Sequence, residues 1–242
     1  MFNAGETLHR MFYSIAAQSY ENWRIVLIDD VSSPVHMRKE AAFLWNVMYD
    51  ERFKGKIDVI WNSKKRWEVE NVLLGIRRCD DDDIICRIDA DDWLVDSDAL
   101  HILNIAYENG HDAVWTAHRW GFSDRNISAP MVIGADPYVH PWVSSHLKTF
   151  RRSLLTGVPD VNFRNQVGDY VRRAGDQAIY LPALKHATKP AYVPRVMYHY
   201  SIDDADGTVY QTDDARMQRD EALFLRQRNY VSAGPSWESV LK

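Results

Sequence analysis

Apolar positions recur along the chain at two spacings, and the two alternate. Leu8, Met11, Phe12, Ile15 and Ala16 share one helical face, which predicts a helix over residues 5–19. RIVLIDD (24–30) is a short apolar run closed by acids, the pattern of a buried strand. Ser33-Pro34 has the form of an N-cap and first helical residue. The helix it opens runs to about Tyr49, with Ala41, Leu44, Trp45 and Met48 toward the core. KIDVIWN (56–62) reads as a strand, EVENVLLGIRRC (68–79) as an amphipathic helix and IICRID (84–89) as a third strand. Residues 97–108 read as a helix and DAVWTAH (112–118) as a fourth strand. Strands alternating with helices predict an α/β fold, a mostly parallel sheet flanked by helices.

The pattern loosens after about residue 120. Residues 120–142 carry turn residues and one edge strand, and SSHLKTFRRSLL (144–155) reads as helical. GDQAIYLPALKHA (175–187) reads as a helix interrupted by Pro182. PAYVPRVMYHYS (190–201) reads as a strand made peripheral by its early proline. DDADGTVYQTD (203–213) is a polar loop, and DDARMQRDEALFLRQRN (213–229) a charged C-terminal helix. The whole reads as one domain, 1–242, with a first half to residue 118, an irregular second half over 119–212 and a helix and tail over 213–242.

Composition narrows the function classes. The chain has 242 residues, 46% hydrophobic, with a net charge of -5, which argues against a general nucleic-acid binder because phosphate binding needs a basic face. Cys79 and Cys86 are the only cysteines, so there is no disulfide framework. No apolar run reaches about 18 residues and no signal peptide is evident, so a cytoplasmic protein without an integral membrane segment is expected.

The acids are placed where chemistry is expected. Ligands gather at the carboxyl ends of parallel strands. Asp29 and Asp30 end one such strand, and Asp89, Asp91 and Asp92 end another, so the two groups are expected to be neighbours. Alternation along an extended backbone puts Asp89 and Asp91 on one side with Ala90 turned away. Paired carboxylates suit a hard divalent cation, Mn2+ or Mg2+, which prefers oxygen ligands and leaves positions open for phosphate. The alternative is a strand end whose acids favour the positive N-terminus of the next helix. Asp80 to Asp83 precede their strand, belong at the opposite edge of the sheet and read as a solvated turn.

FNAGETLHRMFYSIAAQSYENWRIVLIDDVSS, at the start of the chain, resembles the opening of family 2 glycosyltransferases. RIDADDWL resembles their D-x-D-D segment, and HLKTFRRSL, GDQAIYLPAL and VPRVMYHY resemble later segments of some members, so the likeness runs from residue 2 to about 200. It implies a GT-A fold with an irregular C-terminal acceptor region, a nucleotide-sugar donor (a UDP-sugar expected), a divalent metal and a hydroxyl acceptor. By the same resemblance Phe2, Asn3, Asp29, Asp30, Arg66 and Asp89 contact the nucleotide sugar. Asp89, Asp91 and His199 hold the metal, and Asp176 is the catalytic base of an inverting transfer. Trp93, Trp142 and His146 are the acceptor-side candidates. The structural alternatives are a helix N-cap for Asp176, a surface cation for Arg66, a core histidine for His199, a helix-start residue for His146, and core or rim positions for the tryptophans.

Two departures from the family pattern stand out. Members open with a central strand, whereas here Met1-Phe2-Asn3 stands at that strand's end, so a strand between RIVLIDD and IICRID is expected to be missing, with truncation the favoured explanation. The loop YSIDDADG is acidic where many members are basic. A sugar-1-phosphate nucleotidyltransferase would need a glycine- and base-rich loop after the first strand, which FNAGETLHR does not provide. A binding module of the same fold without turnover is the non-enzymatic alternative.

Overall fold

The computed structural model describes residues 1–121, 123, 125–201 and 213–241. Helix α1, Leu8–Ala16, buries Leu8, Met11, Phe12 and Ile15, as its spacing predicts. Strands β1 (Ile25–Asp29) and β2 (Ile57–Trp61) form a two-stranded parallel sheet. They are joined by α2, Pro34–Met48. Helix α3, Trp67–Ile76, leads to β3, Ile84–Arg87. Then come β4 (Trp93–Leu94), α4 (Ala99–Glu108), β5 (Ala113–Trp120) and β6 (Lys148–Arg151). Helix α5 (Gly175–His186), β7 (Pro190–Tyr200), α6 (Asp213–Arg228) and the short α7 (Trp237–Val240) complete the order. The larger sheet runs β3-β6-β5-β7-β4 and is mixed, with β5 and β7 its parallel pair.

The mixing comes from β4, antiparallel to β7, and from β6, which the sequence pattern assigns to a helix. Leu147 and Phe150 have helical spacing, but the segment has strand partners on both sides, antiparallel to β3 and to β5. Its buried polar groups are satisfied there: Tyr107 donates to Thr149 Oγ1 at 2.8 Å and Tyr180 to the Thr149 carbonyl at 3.1 Å. Only Arg152–Leu155 turns helically, as a 3-10 turn.

Other expectations are corrected too. Strand β7 is not peripheral, because it lies between β5 and β4. Its register jumps from Thr116↔Val193 to Ala117↔Val196, so Pro194 falls in a bulge where no ladder donor is needed. Helix α5 runs on through Pro182. Helix α2 buries Glu40, Leu44 and Val47, while Ala41, Trp45 and Met48 are exposed. No regular strand falls among the described residues of 121–143. The acidic loop of residues 202–212 lies outside the described residues.

Two apolar clusters fill the molecule. One gathers Val69, Leu73, Trp115, Phe150, Tyr180 and Trp237. The other spans both sheets, packing Leu27 of β1 with Val114, Leu147 and Tyr198, along with Leu8 and Phe12. No described strand pairs β1 with β3, and the two stand in separate sheets. Beside β1, the Met1 carbonyl accepts the Asp30 N–H at 2.9 Å and its amine donates to the Ile28 carbonyl.

Candidate active site

The site is built where β3, β6 and α5 meet. Arg87 of β3 and Lys148 of β6 stand directly opposite in the antiparallel register, so two cations share one face and repel. Asp176, in the first turn of α5, relieves that repulsion: its carboxylate lies 2.6 Å from Arg87 Nη1 and 3.0 Å from Lys148 Nζ. His146 Nε2 approaches the same carboxylate at 3.9 Å. Burial works to raise the Asp176 carboxyl, but Lys148 and Arg87 prevail and hold it far below the usual carboxylate range. Glu68, in the first turn of α3, pairs with Arg87 at 2.5 Å. Burial pushes its carboxyl up to about 7, with Arg87 opposing and Asp176 adding. A Cβ on Gly175 would collide with the Glu68 carboxyl group, so glycine there lets α3 and α5 bring their acids together.

After β3 the chain turns instead of staying extended. The Asp92 N–H donates to the Asp89 carbonyl at 3.1 Å, closing a turn around Ala90 and Asp91. The alternation expected to pair Asp89 with Asp91 therefore does not hold. Asp89 and Asp92 come together with His146, with one ligand-capable atom from each lying within 4.8 Å of the others. Asp91 is exposed at the tip of the turn, its carbonyl accepting from Arg10 at 3.5 Å. Asp89 accepts from Arg87 at 3.0 Å. Asp92 is buried and accepts from Tyr198 Oη at 2.6 Å and from the Ser201 N–H at 2.7 Å. Burial, with Asp89 and then Asp91 adding, pushes the Asp92 carboxyl up to about 8.

The end of β1 is organised inward. Asp29 accepts the N–H groups of Val31 and Ser32, which holds Val31 at φ 64°. Asp30 accepts from the N–H groups of Arg66 and Trp67 at 2.8 and 3.0 Å and from the Asn62 amide at 3.2 Å, with Lys65 Nζ at 3.5 Å. Burial works to raise its carboxyl, but the Arg66 N–H, then Asn71, Lys65 and the Trp67 N–H, prevail and lower it. Four donors occupy the acceptor positions of one carboxylate, so Asp30 shapes the loop of residues 62–67. Asn3 is tied to the N-terminus of α2, accepting the Ser33 N–H at 2.8 Å. Phe2 is exposed, with Lys65 Nζ 3.1 Å from its ring centre, and Arg66 pairs with Glu70.

The two histidines take different surroundings from those expected. His146 is stacked between Tyr198 and Tyr200, at 4.8 and 5.0 Å, and beside Lys148 Nζ at 3.2 Å. Burial, then Lys148, lowers its ring to about 3. His199 stands outside the Asp89–Asp92–His146 group. Its ring stacks on Trp93 at 3.6 Å, and Arg119 Nε donates to its Nδ1 at 3.2 Å. Arg10 lies 3.8 Å from the Trp93 ring centre, so that aromatic surface is already packed. Trp142 meets Tyr180 edge-on and packs on the first apolar cluster. Glu68, Arg87, Lys148 and Tyr198 are the candidate site residues that sequence reasoning did not single out, and Asp92, named there only as a third acid at the strand end, takes the place expected of Asp91. Arg87, two positions before Asp89 in RIDADD, was the legible signal.

A mixed α/β sheet with carboxylates at a strand end, facing an acid at the start of a later helix, defines the GT-A glycosyltransferase class. The chain belongs to glycosyl transferase family 2, whose description matches residues 1–163. No curated protein matches it by sequence. Among solved structures, it resembles a fragment (residues 1–349) of S. aureus TarS at 15% identity and a TM-score of 0.63, over 94% of this chain and 69% of that one. It also resembles the mannosyltransferase PcManGT from Pyrobaculum calidifontis, in complex with GDP-Man and Mn2+, at 14% identity and a TM-score of 0.64, over 100% of this chain and 66% of that one. Of the longer S. aureus TarS structure the chain spans 40%. No helix among the described residues is long and apolar enough to cross a membrane.

Proposed function

We propose that the chain transfers a sugar from a nucleotide-diphosphate donor, a UDP-sugar, to a hydroxyl acceptor with inversion, Asp176 serving as base. Residues 1–118 form the donor half and residues 119–212 the acceptor half. The observation that carries this reading is the Asp176 carboxylate at the start of α5, directed at the Arg87–Lys148 pair beside Asp89. In inverting transfer a carboxylate takes the acceptor hydroxyl proton as the sugar carbon is attacked from the face opposite the leaving diphosphate. With two cations on it, Asp176 is a weak base. Donor binding that draws Arg87 or Lys148 away from Asp176 raises the basicity of its carboxylate.

Asp89, Asp92 and His146 fit a divalent cation, Mn2+ or Mg2+: they converge, one ligand-capable atom from each, and two of the three are carboxylates. Asp91, on the same turn, supplies an exposed carboxylate at its edge. When bound, such an ion neutralises the diphosphate. The complexes of the similar proteins, TarS with UDP-GlcNAc and PcManGT with GDP-Man and Mn2+, support a nucleotide sugar with metal. Calorimetric titration with UDP and GDP, with and without Mn2+, tests the reading. UDP is expected to bind only with the ion, and that binding to be lost in Asp89→Asn. Equal binding without Mn2+, or a preference for GDP, contradicts the metal or the donor assignment respectively.

A further inference from the structure

Helix α6 is distant in sequence from every residue assigned above, yet it holds the segment that delivers Asp176. Glu221 is 2% exposed, the environment least suited to a lone carboxylate. Its oxygens are met by three consecutive backbone donors. The N–H of Arg172 lies 3.1 Å from both oxygens, that of Arg173 is 2.8 Å from Oε2, and that of Ala174 is 3.2 Å from Oε2. The Asn165 amide adds a fourth donor at 3.3 Å. Successive N–H groups converging on one anion form a nest, a fixed patch of positive potential.

The nest ends where α5 begins. Ala174 is the N-cap of α5 and supplies no side-chain cap, and Gly175 and Asp176 follow it. Three buried or half-buried N–H groups have Glu221 as their acceptor, and without it they would face one another with nothing to bind. The same helix reaches the first turn of α5 again, where Arg226 Nε donates to Gln177 Oε1 at 2.7 Å. Arg226 Nη1 also donates to the His140 carbonyl at 2.8 Å, which ties in the irregular loop before β6.

We propose that Glu221 is a positioning residue for Asp176. Its carboxylate fixes the backbone of residues 172–174, and so sets where the Asp176 carboxylate stands relative to Arg87 and Lys148. The inference rests on the assignment of Asp176 to the transfer step. A glutamine at 221 keeps the shape but removes the negative charge the three N–H groups face, and sets an amide donor in place of the oxygen that accepts from Asn165 and shares the Arg172 N–H. Small displacements of a catalytic group cost rate far more than affinity.

The test compares wild type, Glu221→Gln, Asp176→Asn and, as a control on the exposed face of the same helix, Asp220→Asn. Turnover is normalised to the nucleotide-binding sites titrated with UDP and Mn2+, so that loss of folded protein does not register as loss of rate. For Glu221→Gln the expected result is turnover per site down about tenfold or more with the donor KM changed less than about twofold. Asp220→Asn is expected to match wild type. Amide exchange, which needs no turnover, is expected to speed up at Arg172 to Ala174 and on into Asp176 and Gln177 in Glu221→Gln. Wild-type turnover per site in Glu221→Gln, or unchanged exchange over these residues, overturns the proposal. So does a Glu221→Gln protein that fails to fold, since the contact is then a structural lock. Full activity in Asp176→Asn overturns the functional reading itself, whereas an inactive Asp176→Asn beside a fully active Glu221→Gln overturns only the positioning role.

Discussion

At the scale of single residues, the site depends on which acids are paired and which are crowded. Asp176 is paired, and Asp176→Asn is expected to lower transfer by roughly 10²–10⁴-fold while UDP binding stays intact, as steady-state rates beside calorimetry would read. Asp92 is crowded. Its folded-state carboxyl is raised to about 8, above the unfolded value of about 3.9, so the folded protein holds a proton that the unfolded chain releases. That group's contribution to stability is complete below about pH 4 and is lost as pH rises through about 8. In metal-free protein Asp92→Asn is therefore expected to flatten the fall in melting temperature between about pH 5 and about pH 8, and an unchanged slope would contradict the assignment. Gly175 answers to Glu68. Gly175→Ala forces the Glu68 carboxyl away from Arg87, and in a Glu68→Ala background the same change is expected to be nearly silent. Asp89 and Asp176 were legible from the sequence as acids at a strand end and a helix start. Arg87 and Lys148 were not, because nothing local shows that β3 and β6 will be antiparallel neighbours. Asp91 was expected to pair with Asp89 because strand alternation was extended through what is a turn.

At the scale of elements, periodicity located the helices and strands of the first half well, and failed where a polar residue is buried. Helix α2 shows why. Glu40 is fully buried, accepting the Ala4 N–H at 2.7 Å and the Ser32 hydroxyl at 3.2 Å. Reading that glutamate as a surface residue rotates the helix and sends Trp45 inward, whereas in the structure it is 65% exposed. Urea unfolding separates the two orientations. Leu44→Ala is expected to cost about 2–5 kcal/mol and Trp45→Gln less than about 0.5 kcal/mol, whereas a large loss at Trp45 would favour the rotated helix. Strand β6 was missed for the same kind of reason. Lys148 is 3% exposed, and a buried lysine is unreadable until its partner is known. Strand β7 looked peripheral because a proline cannot donate to a ladder, and the bulge at Pro194 supplies the exception.

At the scale of the molecule, two sheets share one apolar cluster, and the charged groups collect where the larger sheet meets α3 and α5. The family was legible from ordered motifs, because strand ends, turns and helix starts have to keep their spacing for a shared fold to close. The acceptor side was not legible, since loops without periodicity leave no pattern to read. The central claim is that the cluster around Asp176 transfers sugars from a nucleotide donor. The most direct measurement is release of nucleoside diphosphate from UDP-sugars in the presence of Mn2+, with water and simple hydroxyl compounds as acceptors, for wild type and Asp176→Asn at matched donor occupancy. Release by wild type that depends on Mn2+ and disappears in Asp176→Asn, with binding retained, is the expected result. Release at the same rate in both proteins, or donor binding by wild type with no release under any of these conditions, would contradict it.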